Sequence, residues 1–182
     1  MKLAVVTSNP HKAREVAASF AGLLEAEHVP LECPEYRADD VGEIAREKAR
    51  YAFEVLRRPL IVDDTAFCVD ALRGFPGPYA AYVAGTIGNA GILKLMAGEA
   101  DRNAHFETAI AYADERGIRI FRGVLPGTIV EPRGDAGFGY DPIFEYEGRT
   151  LAEIPLAEKS RISHRARALA LFSEWLAGTL AG

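Results

Sequence analysis

Three observations predict an α/β fold with a mixed central sheet flanked by helices. In the first half of the chain, short apolar runs alternate with amphipathic segments, as strands alternate with helices. The second half has the pattern of a strand meander, and the tail has helical periodicity. A chain of 182 residues is long enough to bury its own hydrophobic core, so we expect a single domain over residues 1–182.

The elements of the first half follow from hydrophobic spacing and from turn residues. The predicted elements are a strand over 3–7, a helix over 12–20, a short strand over 28–31, a helix over 41–56 and a strand over 60–62. In the second helix, apolar residues recur at three- and four-residue steps and charged residues fill the other face. The last strand is predicted to end abruptly at Asp63 and Asp64.

In the second half, glycine and proline mark the boundaries. The predicted elements are an irregular segment over 73–79, a helix over 88–96, a hairpin of strands 105–113 and 118–121, a further strand over 123–130 and an amphipathic helix over 163–176. Ser163 is a plausible N-cap for the last helix, since its hydroxyl can accept a backbone N–H of the first turn.

Composition excludes several classes of protein. The 21 basic and 26 acidic side chains give a net charge of −5, which argues against nucleic-acid binding. No apolar run approaches the roughly 20 residues that span a bilayer, so we expect no membrane partner. Cys33 and Cys68 have neither the number nor the spacing of a disulfide framework or a zinc site. We therefore expect a cytoplasmic protein.

A polar turn between the first strand and the first helix has the chemistry of a phosphate site. It offers backbone N–H groups, the positive end of a helix dipole, two hydroxyls and a lysine. It lacks the glycines of a P-loop, and a plain N-capped turn is the alternative interpretation. Its residues are Thr7, Ser8, Asn9, Pro10, His11 and Lys12.

Asp63 and Asp64, followed by Thr65, form a candidate metal site. Adjacent carboxylates are costly unless a cation compensates them, and Mg²⁺ prefers one or two carboxylates together with substrate phosphates. Because neighbours in a strand point to opposite faces, at most one of the two is a direct ligand if the strand continues that far. Glu35, outside any predicted helix, could complete the site. A solvated acidic turn is the alternative.

Two further groups of residues could bind a planar base. Glycines beside an aromatic ring let a planar ligand approach and stack, and basic side chains can donate to a carbonyl oxygen on the base. The alternatives are a glycine-rich turn with a core aromatic and a basic helical turn on the surface. The first group is Phe138, Gly139, Tyr140 and Asp141, and the second is Lys159, His164 and Arg165.

Five motifs in order carry a resemblance to a known family. They are Ser8-Asn9-x-x-Lys12, Val62-Asp63-Asp64-Thr65, Gly74-Phe75-Pro76-Gly77-Pro78-Tyr79, Phe138-Gly139-Tyr140-Asp141-Pro142 and Ser163-His164-Arg165. From residue 3 to about residue 176 the chain resembles the inosine triphosphate pyrophosphatase family. The resemblance implies an elongated, two-lobed fold with a nucleotide cleft between the lobes, a homodimer, and Mg²⁺-dependent hydrolysis of ITP, dITP and XTP to the monophosphate and pyrophosphate.

The resemblance also implies a role for each motif. The turn from Thr7 to Lys12, with Lys48 and Thr65, would hold the substrate, and Lys12 and Asp63 would assist catalysis. Glu35 and Asp64 would bind Mg²⁺, and Asp64 would also activate water. The base pocket would comprise residues 138–141 together with Lys159, His164 and Arg165.

The chain departs from the family pattern at one place. Many relatives have Arg or Lys shortly after the tyrosine that here is Tyr79, whereas this chain continues Ala80-Ala81-Tyr82-Val83. That segment is then a candidate dimer surface with Tyr79 and Tyr82 as anchors. Two alternatives to the leading function remain, a Maf-like pyrophosphatase with another base preference and a purine nucleotide-binding protein without activity.

Overall fold

The computed structural model describes residues 2–20 and 24–180. The strands are β1 (Lys2–Val6), β2 (Glu25–Val29), β3 (Leu60–Val69), β4 (Pro76–Gly77), β5 (Asn103–Asp114), β6 (Gly117–Ile129), β7 (Phe144–Tyr146) and β8 (Arg149–Thr150). The helices are α1 (Pro10–Ser19), α2 (Val41–Leu56), α3 (Ala80–Thr86), α4 (Gly88–Leu95), α5 (Leu156–Ile162) and α6 (His164–Leu180).

These strands form one open mixed sheet, as predicted. Their order is β2-β1-β3-β5-β6-β7-β8, and β4 pairs with β3 off this path. β1 is parallel to both β2 and β3, and the pairs from β3 to β8 are antiparallel. The parallel strands are joined through α1 and α2, whereas β5–β6 and β7–β8 in the antiparallel part are hairpins, which is why the two halves of the sequence have different patterns.

Helices cover both faces of one section of the sheet. α2 packs on one face through a cluster that includes Ala45 and Ala49, and α1 and α6 pack on the other through a cluster that includes Val16 and Phe172. The other section of β3, β5 and β6 belongs to a third cluster, built around Phe67 and containing residues of α3, α4 and the 140–154 segment. The sheet thus has two apolar sections along its long strands.

Between the two apolar sections lies a polar band, which we define as residues 63–65 of β3, 107–108 of β5 and 122–123 of β6. Register places these segments side by side, since Thr65 pairs with Thr108 and Thr108 with Gly123. The band contains carboxylate, hydroxyl and guanidinium groups where the strands on either side bury only apolar residues. It is therefore the part of the sheet in which polar and charged side chains are concentrated.

Three sequence predictions were wrong in detail. β3 does not end at Asp63 and Asp64 but runs on to Val69, because β5 supplies a backbone partner for every residue of it. The predicted strands 118–121 and 123–130 are one strand, β6, for the same reason. The short strand predicted over 28–31 lies instead at β2, Glu25–Val29, where it pairs with β1.

The helix predictions were mostly confirmed, and two helices were missed. α2 has the predicted bounds, and Ser163 caps α6 by accepting the backbone N–H of Ala166 at 3.1 Å. The short helices α3 and α5 were not predicted, because seven residues are too few for a clear helical period. Among the described residues, no helix is long and apolar enough to cross a membrane.

Candidate active site

The polar band places Asp63 and Asp64 on opposite faces of β3. Side chains alternate along a strand, so Asp64 shares the α2 face with Val62 and Ala66, and Asp63 shares the face of Ile61 that packs under α1 and α6. The adjacent carboxylates are thereby separated by the backbone itself. Each then has its own set of cationic partners.

Two cations converge on Asp63. Lys12 Nζ lies 3.4 Å from Asp63 Oδ2, and Arg165 Nε donates a hydrogen bond of 3.0 Å to the same atom. Burial by itself raises the pKa of Asp63, but Lys12 and Arg165 outweigh it and lower that pKa to about 2. Asp63 is therefore a buried, permanently charged link between α1 and α6.

Asp64 is paired from the other face. Its Oδ2 accepts a 2.6 Å hydrogen bond from Lys48 Nζ, and its Oδ1 accepts the backbone N–H of Thr65 at 3.0 Å. Burial lowers the pKa of Lys48, but the charges of Asp64 and Glu35 outweigh it, so that pKa is raised. Lys48 is thus a charged ammonium that faces both predicted metal ligands.

The N-terminus of α2 is fixed to the polar band by Arg122. Its Nη2 donates to Asp40 Oδ2 at 2.6 Å and its Nη1 to Glu107 Oε1 at 2.8 Å. Asp40 is the N-cap of α2, and its Oδ1 accepts the backbone N–H of Gly42. A Cβ on Gly42 would lie 2.2 Å from Arg122 Nη2, so a larger residue there would push the guanidinium away from its two carboxylates. This contact sets the position of the helix that carries Lys48.

The polar part of β3 has an open edge toward β1. β1 pairs with β3 only as far as Val62, and β4 pairs with it from Phe67 onward. The backbone of residues 63–66 on that side therefore has no strand partner among the described residues. A ligand at this edge could contact side chains from both faces of the sheet, Lys12 above and Lys48 below.

The polar turn begins where β1 ends and leads to this open edge. Thr7 Oγ1 accepts the backbone N–H of Asn9 at 3.1 Å, and Asn9 Oδ1 accepts that of Lys12 at 3.4 Å, so Asn9 caps α1. Pro10 occupies the first helical position, where its missing N–H costs nothing. Ser8, Asn9 and Pro10 are exposed. The side chain of His11 lies outside the described part of the structure.

The predicted metal ligands share one face of the sheet. Glu35 is exposed, and its charge acts on Lys48 and Cys33, which also feel the charge of Asp64. Within residues 2–20 and 24–180, no group of three or more His, Cys, Asp and Glu side chains is arranged to hold a metal ion. Asp64 pairs directly with Lys48, and Glu35 is near enough for its charge to act on the same lysine.

The loop of residues 137–141 is organised by a buried carboxylate. Asp141 Oδ2 accepts the backbone N–H of Phe138 at 2.9 Å and pairs with Lys159. Lys159 Nζ in turn lies 4.7 Å from the centroid of the Phe138 ring. The ring is 75% exposed, so one of its faces is available for a planar ligand.

Gly139 and Tyr140 of this loop contact other parts of the protein. The ring of Tyr140 is buried and stacked on Phe67 with centroids 4.2 Å apart, and its hydroxyl donates to the carbonyl of Ala80 at 2.6 Å. The carbonyl of Gly139 accepts a 3.0 Å hydrogen bond from Asn89. The structure thus assigns the Tyr140 side chain a packing role, and joins the loop to α3 and α4.

His164 is the first residue of α6 and lies against the polar band. Its Nδ1 is 2.5 Å from Thr108 Oγ1, and its ring stacks on Phe106 with centroids 5.1 Å apart. Thr108 is fully buried, and its Oγ1 is also 3.1 Å from Thr65 Oγ1. Burial and then the charge of Arg165 lower the pKa of His164 to about 3, so its imidazole is neutral at neutral pH.

Gly123 allows α6 to come this close. A Cβ on Gly123 would lie 2.0 Å from the carbonyl oxygen of His164 and 2.4 Å from the backbone nitrogen of Ala168. The helix backbone therefore rests directly on the strand backbone. This contact brings His164 to Thr108 and Arg165 to Asp63.

Sequence reasoning missed Thr108, Gly123 and Arg122. They lie in the middle of two strands, away from the turns in which the sequence predicts functional residues. A polar residue at a core position of an otherwise apolar strand was the available signal for Thr108. For Gly123, the available signal was a glycine inside a strand, because such a glycine often marks a place where another backbone approaches closely.

Comparison with known proteins agrees with this architecture. The sequence pattern of the Ham1 family matches residues 3–175. The chain is 46% identical to a protein of Methanopyrus kandleri named dITP/XTP pyrophosphatase, over the whole of both chains. It is 43% identical to a Trypanosoma cruzi protein named inosine triphosphate pyrophosphatase 2, over 92% of this chain and 88% of that one.

Solved structures show the same fold. The structure of a HAM1 protein from Coxiella burnetii superposes with a TM-score of 0.88 at 32% identity, covering 98% of this chain and 99% of that one. The resemblance inferred from the five motifs is therefore confirmed. A family pattern that spans nearly the whole chain, and relatives close to half identical along it, establish that this chain belongs to the Ham1 family.

Proposed function

We propose that this chain hydrolyses ITP, dITP and XTP to the monophosphate and pyrophosphate, as a single domain over residues 1–182 in the cytoplasm. The names of its relatives support that reaction. The observation that carries the proposal is the arrangement of Asp63 and Asp64 beside an open strand edge, each paired with a lysine from a different element.

The triphosphate is proposed to lie along the open edge of β3. Lys12 and Lys48 approach that edge from opposite faces, and the capped start of α1 adds backbone N–H groups and the positive end of a helix dipole. Lys48 is now held by Asp64 and can exchange that carboxylate for a phosphate oxygen. That exchange would leave Asp64 available for chemistry.

Mg²⁺ fits the residues at this edge. Asp63, Asp64 and Glu35 already balance much of the positive charge of the nearby lysines and arginine, so a triphosphate needs an additional cation. Glu35 and Asp64 supply the hard oxygen donors that Mg²⁺ prefers, and phosphate oxygens would complete the shell. When bound, the ion would offset charge on the phosphates.

Asp64 is the proposed general base. Its carboxylate would take a proton from a water molecule whose oxygen attacks the α-phosphorus, and the bridging α–β oxygen would leave on pyrophosphate. Lys12 would stabilise the charge that develops on the leaving group. Asp63 keeps Lys12 and Arg165 in place during this step, since its own charge does not change.

The base pocket is proposed to select a 6-oxo purine. The exposed face of Phe138 offers a stacking surface, and Lys159, His164 and Arg165 lie at the neighbouring helices. A purine with a carbonyl oxygen at position 6 accepts from such donors, whereas the amino group of adenine would leave a donor facing a donor. A mismatch of that kind in a desolvated site gives strong discrimination.

A panel of ITP, dITP, XTP, ATP, GTP, CTP and UTP with Mg²⁺ tests the proposal, with pyrophosphate and orthophosphate measured separately. We expect pyrophosphate from ITP, dITP and XTP and little from ATP. GTP also has a 6-oxo group, so its rejection would locate a second contact at position 2. Hydrolysis of CTP or UTP would favour the Maf-like alternative. Binding of ITP without turnover would favour the nucleotide-binding protein, and release of orthophosphate would show that a different bond is cleaved.

The Asp64→Asn variant tests the base. We expect kcat to fall by about 10²- to 10⁴-fold, the usual contribution of a general base. Asp101→Asn is a matched control, because an asparagine can still accept the backbone N–H that Asp101 now accepts from Asn103. An Asp64→Asn variant with full turnover would refute the assignment.

A homodimer is proposed to form through the surface around α3. Exposed aromatic and aliphatic side chains are concentrated there, and large exposed apolar patches mark interaction surfaces. They are Phe75, Tyr79, Tyr82 and Ile87. The segment that departs from the family pattern, residues 80–83, is part of this surface, which supports an interface rather than a phosphate contact.

A further inference from the structure

Two threonine hydroxyls connect β3 to the imidazole of His164. Thr65 Oγ1 lies 3.1 Å from Thr108 Oγ1, and Thr108 Oγ1 lies 2.5 Å from His164 Nδ1. Thr108 is fully buried, so its hydroxyl has these two groups and no solvent to satisfy it. An imidazole places its second nitrogen, Nε2, on the far edge of the ring from Nδ1.

The number of protons permits only two arrangements of this chain. The Thr108 hydroxyl has one proton, which it donates either to Thr65 or to His164. If Thr108 donates to Nδ1, the neutral imidazole carries its proton on Nε2. If Nδ1 donates to Thr108, then Nε2 is a bare acceptor. The two arrangements therefore give Nε2 opposite roles, a donor when Thr108 donates to Nδ1 and an acceptor when Nδ1 donates to Thr108.

Packing alone cannot make this choice. The stack on Phe106 orients the plane of the ring but does not distinguish a protonated nitrogen from a bare one. The close approach of α6 at Gly123 fixes where the ring lies, again without regard to its protons. The hydroxyl chain is the contact that differs between the two tautomers.

We infer that the hydrogen bonds run from Thr65 through Thr108 to His164 Nδ1, so that Thr108 is a positioning residue that keeps Nε2 protonated as a donor to a 6-oxo purine. The inference rests on the proposed function, since only a 6-oxo substrate requires a donor at that place. Thr108 would thus raise the selectivity for ITP over ATP without contacting either nucleotide. The Nε2-protonated form is also the more stable tautomer of a neutral imidazole in water.

Nitrogen-15 NMR of the wild-type protein tests the tautomer directly. The imidazole signals of His164 are assigned by their loss in His164→Gln, since the chain has four histidines. We expect Nδ1 at the chemical shift of a bare acceptor and Nε2 at that of a protonated nitrogen. The opposite assignment overturns the inference. This readout does not depend on activity, so it remains decisive even if the panel refutes the proposed function.

The Thr108→Val variant tests the consequence for selectivity. ITP and ATP differ only in the 6-oxo group with its N1–H against the 6-amino group, so the ratio of their kcat/KM values reports this contact. We expect that ratio to fall about threefold to tenfold, as for the loss of one buried hydrogen bond, and Thr108→Ser to restore it. An equal loss for both nucleotides would show a purely structural role and overturn the inference.

Thr150→Val is the matched control. Thr150 is also fully buried, and its hydroxyl donates to the carbonyl of Arg133 at 2.7 Å, outside the polar band. We expect it to lower stability and leave the ITP to ATP ratio unchanged. If it lowered that ratio as much as Thr108→Val does, the effect would be one of stability and the inference would fail.

Discussion

Asp63 connects distant parts of the chain through one carboxylate. Lys12 from α1 and Arg165 from α6 both reach its Oδ2, across 51 and 102 positions of sequence. The side chain is only 5% exposed, so these charges are poorly screened by solvent. The residue that resembled a second metal ligand in the sequence is, in the fold, the counter-ion of Lys12 and Arg165.

The Asp63→Asn variant should reveal this ion pair as a dependence of stability on pH. The pKa of Asp63 falls from 3.8 to about 2 on folding, so the ionised form stabilises the protein above about pH 4. That contribution is lost as pH falls toward about 2. We expect the wild-type advantage in free energy of unfolding over the variant to be larger by about 2 kcal/mol at pH 7 than at acid pH.

Urea unfolding of both proteins from about pH 2 to about pH 7 measures this difference. Glu25→Gln is the control, because Glu25 is an exposed partner of Lys2 whose loss should change stability by less than about 0.5 kcal/mol. A gap between wild type and Asp63→Asn that is the same at every pH would contradict the role of Asp63 as a buried anion.

At the scale of elements, α2 and α6 hold the polar band from opposite faces. α2 is fixed at its N-terminus by Arg122 and brings Lys48 to Asp64. α6 rests on Gly123 and brings Arg165 to Asp63. Each helix therefore positions one half of the candidate site, and the sheet between them keeps the halves in register.

The Gly123→Ala variant should separate α6 from the sheet. An added methyl group would collide with the backbone of His164 and Ala168, and backbone atoms cannot turn aside as a side chain can. We expect a loss of stability of about 1–3 kcal/mol, as for overpacked cores, together with weaker ITP turnover. Thermal unfolding and kcat/KM for ITP measure the two effects.

Gly178→Ala, in the helix α6 that packs on Gly123, is the control. A Cβ there meets nothing within 4 Å, so we expect unchanged turnover and a stability equal to the wild type or higher by up to about 1 kcal/mol. If Gly123→Ala behaved in the same way as this control, the close approach of α6 would not be needed to position His164.

The extent of the strands was harder to predict than their existence. The polar residues 63–65 and the glycine at 123 are signals that end a strand when only local sequence is considered. β3 and β6 nevertheless continue, because β5 pairs along the whole of β3 and beside β6 for twelve residues. Pairing between strands outweighs local preference, which for strands is weak and depends on context.

At the scale of the whole molecule, the loop of residues 137–141 and the proposed dimer surface are physically connected. Tyr140 donates to the carbonyl of Ala80 at the start of α3, and Asn89 of α4 donates to the carbonyl of Gly139. Tyr82 of the proposed interface thus lies on α3, one of the helices joined to the loop, and Tyr79 directly precedes that helix. An interface there would restrict the loop through α3 and α4, in addition to the contacts of Asp141 with Phe138 and Lys159.

The Tyr82→Ser variant tests that surface. Tyr82 is 73% exposed in the chain, and an aromatic anchor buried in an interface contributes about 2 kcal/mol or more to association. We expect dimers in the wild type, and a dimer dissociation constant at least about 30-fold higher in the variant. Sedimentation equilibrium over a range of concentrations measures it.

Leu171→Ser is the matched control, since Leu171 is an exposed apolar residue on α6, which packs in a different core cluster from α3. We expect its effect on association to be negligible. The proposed interface would be wrong if the wild-type protein were monomeric at all concentrations. It would also be wrong if Leu171→Ser dissociated while Tyr82→Ser did not.

The sequence by itself determined the fold class and the two long helices α2 and α6, and it indicated the candidate site residues, which stay a prediction. These follow from local properties, namely hydrophobic period, caps and short motifs in order. Only the tertiary structure decided which face each aspartate occupies, that Tyr140 packs in the core, and that Thr108, Gly123 and Arg122 support the site. Those facts depend on strand register and on the close approach of helix to sheet, which join residues up to about a hundred positions apart, as in Asp63 with Arg165.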